Sequence, residues 1–149
     1  MSSADPLLQP TVRDPRAGRA PWRLSSQGYV AFLGGVTAGT VIGFLNARRL
    51  DVPASRRWAI LGAGAVAWAA TVWIILDLIG PDGTSTAVRM AARVCAVLAY
   101  LLQAYLQGPW DRAFQLRNVE HASLWGPGAI AVVGCGTVEA LVLARLVAG

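Results

Sequence analysis

Five ionisable side chains interrupt or border the long apolar stretches of this sequence: Asp77, Arg89, Arg93, Glu139 and Arg145. An ionised group near the middle of a bilayer costs at least about 2.5–3.5 kcal/mol on insertion scales, so each needs a partner or a purpose. If the third and fourth apolar segments run antiparallel as helices, Arg93 lies roughly 9 Å and Glu139 roughly 12 Å in from the same face, at about 1.5 Å per residue. Arg89 shares a helix side with Arg93 at i−4, and Asp77 and Arg145 fall near that face on the second and fourth segments. The spacing predicts one polar cluster. As a staple it pairs Glu139 with Arg93 and Asp77 with Arg89, with the arginine stems snorkelling to headgroups. As a working site it holds an anionic ligand or uses a carboxylate that exchanges a proton. Three arginines against two acids leave one positive charge for an anion or a lipid phosphate.

The other polar residues form weaker patterns. His121 is the sole histidine, beside Glu120 in a polar connection, and without a nucleophile in a recognisable setting it makes no triad. HExxH, GxSxG and Walker A elements are absent from the sequence. The GGVTAG stretch at Gly34–Gly39 lies inside an apolar run and follows no strand, so its glycines do not read as a phosphate cradle. Cys95 and Cys135 fall in apolar runs with no CxxC and no Cys/His cluster; they read as buried thiols, and no metal or other cofactor is expected. Asn46 reads as a helix cap or a cross-helix partner, Tyr100 and Gln103 as hydrogen-bonding between helices, and Trp68 and Trp73 as packing or lipid-facing bulk.

These residues sit in a chain built for lipid. Its 149 residues suffice for one domain. Mean hydropathy is +0.49 and 14% of residues are charged, against about 25% in soluble domains. No Asp, Glu, Lys or Arg occurs from Leu24 to Ala47, Trp58 to Leu76, Val94 to Trp110 or His121 to Val138, runs of 24, 19, 17 and 18 residues. A bilayer core takes about 17–25 apolar residues of helix. The expectation is an all-α, four-helix transmembrane bundle over residues 29–149, with helices at about 29–45, 58–79, 87–106 and 127–147. Residues 1–28, rich in Pro and Arg, read as a disordered tail. They do not read as a signal peptide, because the apolar run after them ends in Asn46 and two arginines. Pro53 interrupts the first connection, Gly-Pro and Asp-Gly at residues 80–83 predict a tight turn, and DRAFQLRN at residues 111–118 suits a short amphipathic helix in the interface.

Alternating spans define two faces. Face A takes the tail, the turn between the second and third helices, and the C-terminus. Face B takes the other two connections and Trp58, Trp110 and Trp125, which suit the headgroup zone. All 13 basic residues are Arg. Six lie on face B and seven on face A in this arrangement, so positive charge does not decide orientation. The four arginines packed into the first connection favour a cytoplasmic face B. The net charge of +5 suits anionic lipid headgroups; no arginine stripe interleaved with aromatics points to nucleic acid.

Small residues follow helical spacing. Gly35, Gly39 and Gly43 recur at i, i+4 and i+8, and Gly136, Ala140 and Ala144 repeat the pattern in the fourth helix. Small ridges let membrane helices approach closely. They predict tight packing within the bundle or a homo-oligomer seam along the first helix.

The stretch Phe32-Leu33-Gly34-Gly35, followed by Asn46 and Arg48-Arg49-Leu50, resembles the first span of a group of small bacterial integral membrane proteins. In that group Gly-Gly-Pro opens the helix and Asn, then basic-Leu-Gly, closes it. Val36 stands at the Pro position and Asp51 at the Gly position. The resemblance covers about 20 residues and implies a small multi-span bacterial protein with no assigned activity. With arginine as the sole basic residue and abundant Ala, Gly and Val, the expectation is a multi-pass protein of the bacterial cytoplasmic membrane. It is non-catalytic, a scaffold or accessory subunit partnered by the bilayer, by copies of itself or by another membrane subunit. The alternatives are an oligomeric transporter or channel using the Arg/Glu cluster, and a membrane enzyme acting on lipid through His121 and Glu120.

Overall fold

The computed structural model describes residues 20–79, 85–117 and 119–148. Tail residues 1–19 and the turn at residues 80–84 lie outside these. Four helices follow in order: α1 (Leu24–Arg49), α2 (Ala54–Trp73, continued by a π-helical turn at Ile74–Ile79), α3 (Ser85–Gln115) and α4 (Trp125–Ala148). Among the described residues there is no strand, only an isolated parallel bridge between Trp22 and Ala122. Each helix is long and apolar enough to cross a membrane, as the hydropathy predicts.

Several boundaries move outward. α1 begins at Leu24, so the expected tail already ends inside the fold: Trp22 is buried and Pro21 accepts a hydrogen bond from the Ala122 amide at 2.9 Å. α2 begins directly after Pro53. The short interface helix expected at residues 111–118 is instead the end of α3, which runs through Pro109.

The path of α1 differs more deeply from the expectation. Gly35 takes φ 81°, ψ −171°, a region open essentially to glycine alone. The helix doubles back there. Twenty-four residues of straight helix would separate Trp22 from Asn46 by about 36 Å, yet the Trp22 amide donates to Asn46 Oδ1 at 2.7 Å. The Arg49 guanidinium lies 3.7 Å from the Trp22 ring centroid and donates to the Ala20 carbonyl at 2.9 Å. The two arms, residues 24–34 and 36–49, pack so closely that a Cβ added at Gly39 would sit 2.8 Å from that of Ala31.

The second arm, 14 residues by the helix bounds, is about 21 Å long, short of the roughly 30 Å hydrocarbon core. α1 therefore enters and leaves at face B, and its apex stops inside the bundle. Residues 20–23, expected at face A, join Asn46 and His121 at face B.

α1 packs chiefly on α3 and α4, as a wedge between them, and α2 lies against α1 and α3. Trp22, Val30, Ala38, Ile42, Leu124 and Ala131 form the core shared by the two arms and α4. Ala47, Leu50, Val52 and Ile60 form a second core near the first connection. The outer sides of α3 and α4 present Leu98, Leu101, Val133 and Leu141, among others, which is the surface a lipid-facing helix needs.

Candidate functional site

A helix start leaves backbone N–H groups without intrahelical partners. In α1 such a start is forced into the bundle interior, because the second arm begins after the Gly35 bend. Glu139 answers it. Its Oε1 accepts from the Val36 amide at 3.1 Å and its Oε2 from the Thr37 amide at 2.7 Å. The side chain is 6% exposed. Two charge-assisted bonds and the positive end of the half-helix dipole offset the burial of the carboxylate. Gly136, one turn earlier on α4, allows this approach: a Cβ there would lie 3.2 Å from Gly34 Cα.

Beyond the apex, toward face A, nothing from α1 separates α3 from α4. A cavity of about 610 Å³ fills that space, walled by Phe32, Gly35, Val88, Ala92, Ala140 and Leu143, with Arg89, Arg93 and Glu139 also lining it. The Arg93 guanidinium carbon stands 5.0 Å from the Phe32 ring centroid, a cation–π distance that holds the charge over the apex.

The predicted cluster is thus half assembled. Arg89, Arg93 and Glu139 share the cavity, whereas Asp77 and Arg145 are exposed and do not line it. Neither expected ion pair forms: among the described residues the only one is His121 with Asp111. The reason is the bend, which offers Glu139 two backbone donors at the depth where a straight helix would have offered none.

The small-residue ridge also changes meaning. Gly35 is the bend and shares no face with Gly39 and Gly43. Gly39 faces Ala31 of the other arm, and a Cβ at Gly43 would stand 2.8 Å from Gln103 Oε1. Gly136 packs against the apex, and Ala140 and Ala144 line the cavity. The glycines of α1 are used inside the fold.

Toward face B, a buried polar ladder locks α1 to α3. Asn46 Nδ2 donates to Gln107 Oε1 at 3.2 Å, Gln107 Nε2 to the Gln103 carbonyl at 3.3 Å, and Gln103 Nε2 to Thr40 Oγ1 at 3.0 Å. Tyr100 donates to the Leu24 carbonyl at 3.1 Å. The sequence pointed to Asn46, Tyr100 and Gln103 as such partners but not to Gln107, one turn along from Gln103, nor to Trp22. The signal for the bend was the adjacent pair Gly34-Gly35, a turn dipeptide inside an apolar run.

His121, the residue of the enzymatic alternative, sets Nε2 3.3 Å from Asp111 Oδ1 and its ring edge-on to Phe114 at 5.2 Å. Asp111 also accepts from Gln115 at 2.6 Å. This geometry ties the last connection to α3, and Glu120 beside it is exposed. Cys95 is buried and Cys135 half-buried, both as free thiols. Among the described residues no three His, Cys, Asp or Glu side chains are gathered as a metal site would need.

Comparison with protein families, curated proteins and solved structures finds no match to this chain. The four helices fit a multi-span membrane protein, and any role beyond that is argued from the cavity.

Proposed function

We propose that the chain is a small, non-catalytic membrane transport protein that takes an anion into the cavity between α3 and α4. The observation that carries this is the broken helix at membrane depth, its start closed by Glu139. Irregular backbone is tolerated there only where protein buries it or it lines a cavity, and discontinuous helices at such depths are how many transporters meet charged solutes. Glu139 acts as a tethered anion on the half-helix start. The doubled-back α1 lies across the path from the cavity to face B among the described residues, so passage calls for movement of the apex or for several copies.

The path of α1 supports an orientation. Among the described arginines, Arg23, Arg48, Arg49, Arg56, Arg57, Arg112 and Arg117 belong to face B, against Arg89, Arg93 and Arg145 toward face A. That excess favours a cytoplasmic face B, so the cavity opens to the outside of what composition suggests is a bacterial cytoplasmic membrane.

The test is reconstitution into proteoliposomes, following chloride efflux, phosphate efflux and the transbilayer movement of a fluorescent phosphatidylglycerol. At least one is accelerated by the wild-type protein, and Glu139→Gln changes that rate roughly tenfold, the equivalent of one charge-assisted hydrogen bond. Three rates equal to those of empty liposomes sink the transport reading.

A further inference from the structure

We infer that the anion is the phosphate headgroup of a membrane lipid, held by Arg89 and Arg93 at the rim of the α3–α4 cavity with its acyl chain along the apolar wall. This rests on the reading of that cavity as an anion site and names its ligand.

Three observations carry it. Arg89 and Arg93 lie one turn apart on α3 and both line the cavity. Among the described residues neither has a carboxylate within ion-pair distance: Glu139, which lines the same cavity, is engaged by backbone amides, and Asp77 does not line it. Two guanidinium groups in the membrane half of a bundle, with no ion-paired carboxylate among the described residues, call for an external anion. Arginine suits phosphate in particular, because its planar fork donates two parallel hydrogen bonds to two oxygens.

The remaining wall excludes a bare inorganic ion as the best fit. Phe32, Leu33, Val88, Ala92, Ala140 and Leu143 surround the arginines with hydrocarbon, and about 610 Å³ is far more space than a hydrated phosphate needs. An amphiphile satisfies both parts: the phosphate meets the arginines, and the chain fills the gap that α1 leaves by turning back at Gly35. The outer surfaces of α3 and α4 continue the apolar wall into the bilayer through Met90, Val94 and Leu146, so the chain need not leave lipid to reach the site.

The experiment is native mass spectrometry of the full chain released from vesicles of dioleoyl-phosphatidylethanolamine and dioleoyl-phosphatidylglycerol, under activation that strips bulk lipid. The wild type retains one phosphatidylglycerol. The double variant Arg89→Ala/Arg93→Ala retains roughly tenfold less or lower, while Arg112→Ala/Arg117→Ala, altered at face B, retains it as the wild type does. Ala140→Phe keeps both arginines and fills the acyl wall; it also loses the lipid, which separates a lipid site from an arginine-only site should the double variant fail to fold. Retention unchanged by both cavity variants overturns the inference. So does uptake of inorganic phosphate by delipidated protein with no lipid retained, which makes the ligand a free anion. Lipid retention without movement of any of the three probes keeps this site and removes the transport reading; probe movement without retention does the reverse.

Discussion

Replacing Gly35 with alanine tests the doubled-back helix most directly, because two paths for α1 predict opposite signs. In a straight transmembrane helix Gly35 is an interior position, and alanine there is more stable than glycine by about 0.5–1 kcal/mol. At φ 81°, ψ −171° a side chain is strained, at about 1–3 kcal/mol. The new methyl also has nowhere to go: its position lies 2.7 Å from Glu139 Cδ, so the carboxylate must withdraw from at least one of its two amides. A hydrogen bond to a charged group is worth about 1.5–3 kcal/mol. The expected destabilisation is therefore about 2.5–6 kcal/mol. The assay is unfolding by sodium dodecyl sulfate in mixed micelles, followed by the fluorescence of the six tryptophans. Gly134→Ala is the internal control, since a Cβ there meets nothing within 4 Å and α4 is regular at that point. It should be neutral or stabilise by up to about 1 kcal/mol. A Gly35→Ala protein as stable as the wild type, or more so, refutes the bend and with it the orientation, the cavity and the role given to Glu139.

Two further outcomes follow from the same geometry. With Cys95 and Cys135 replaced by alanine, Ser25→Cys and Ser55→Cys, both exposed, should react with a membrane-impermeant maleimide from the same side of oriented vesicles; labelling from opposite sides means α1 spans. Gln107→Leu leaves the fully buried Asn46 amide without its acceptor, so stability should fall by about 1–3 kcal/mol. Unfolding titrations that overlay the wild type would mean that the ladder carries no energy.

Helix number was legible because charge-free runs of the right span report apolar helix whatever their tertiary path; the ends were not, and α1 and α3 run well past the expected bounds. The juxtaposition of Arg93 and Glu139, which line one cavity, was within reach of their spacing. Their pairing was not, because it depends on which donors a neighbouring element presents, and the neighbour was assumed regular. Gly34-Gly35 lay in plain sight as the first members of a small-residue ridge. Periodicity alone cannot separate a glycine that lets two helices touch from one that turns the backbone, since both leave the same spacing. Val36 is the first residue after the bend, a helix-start position, and Asp51 adopts φ 53°, a left-handed conformation that glycine enters most easily.

The bend has its largest consequence far from itself. Hydropathy counts apolar segments, and alternation then assigns every connection to a side. A segment that turns back keeps its length and loses its parity. Here the doubled-back path brings residues 20–23, and Arg23 with them, to the face of Asn46. With Arg23 on the side of Arg48 and Arg49, where Trp22 meets Asn46 and Arg49, seven of the ten described arginines lie toward that end and Arg89, Arg93 and Arg145 toward the other. Of those three, Arg89 and Arg93 line the cavity beside the apex. An arginine that shares its cavity with a carboxylate already held by backbone amides, and has no ion pair among the described residues, is best explained by what it binds.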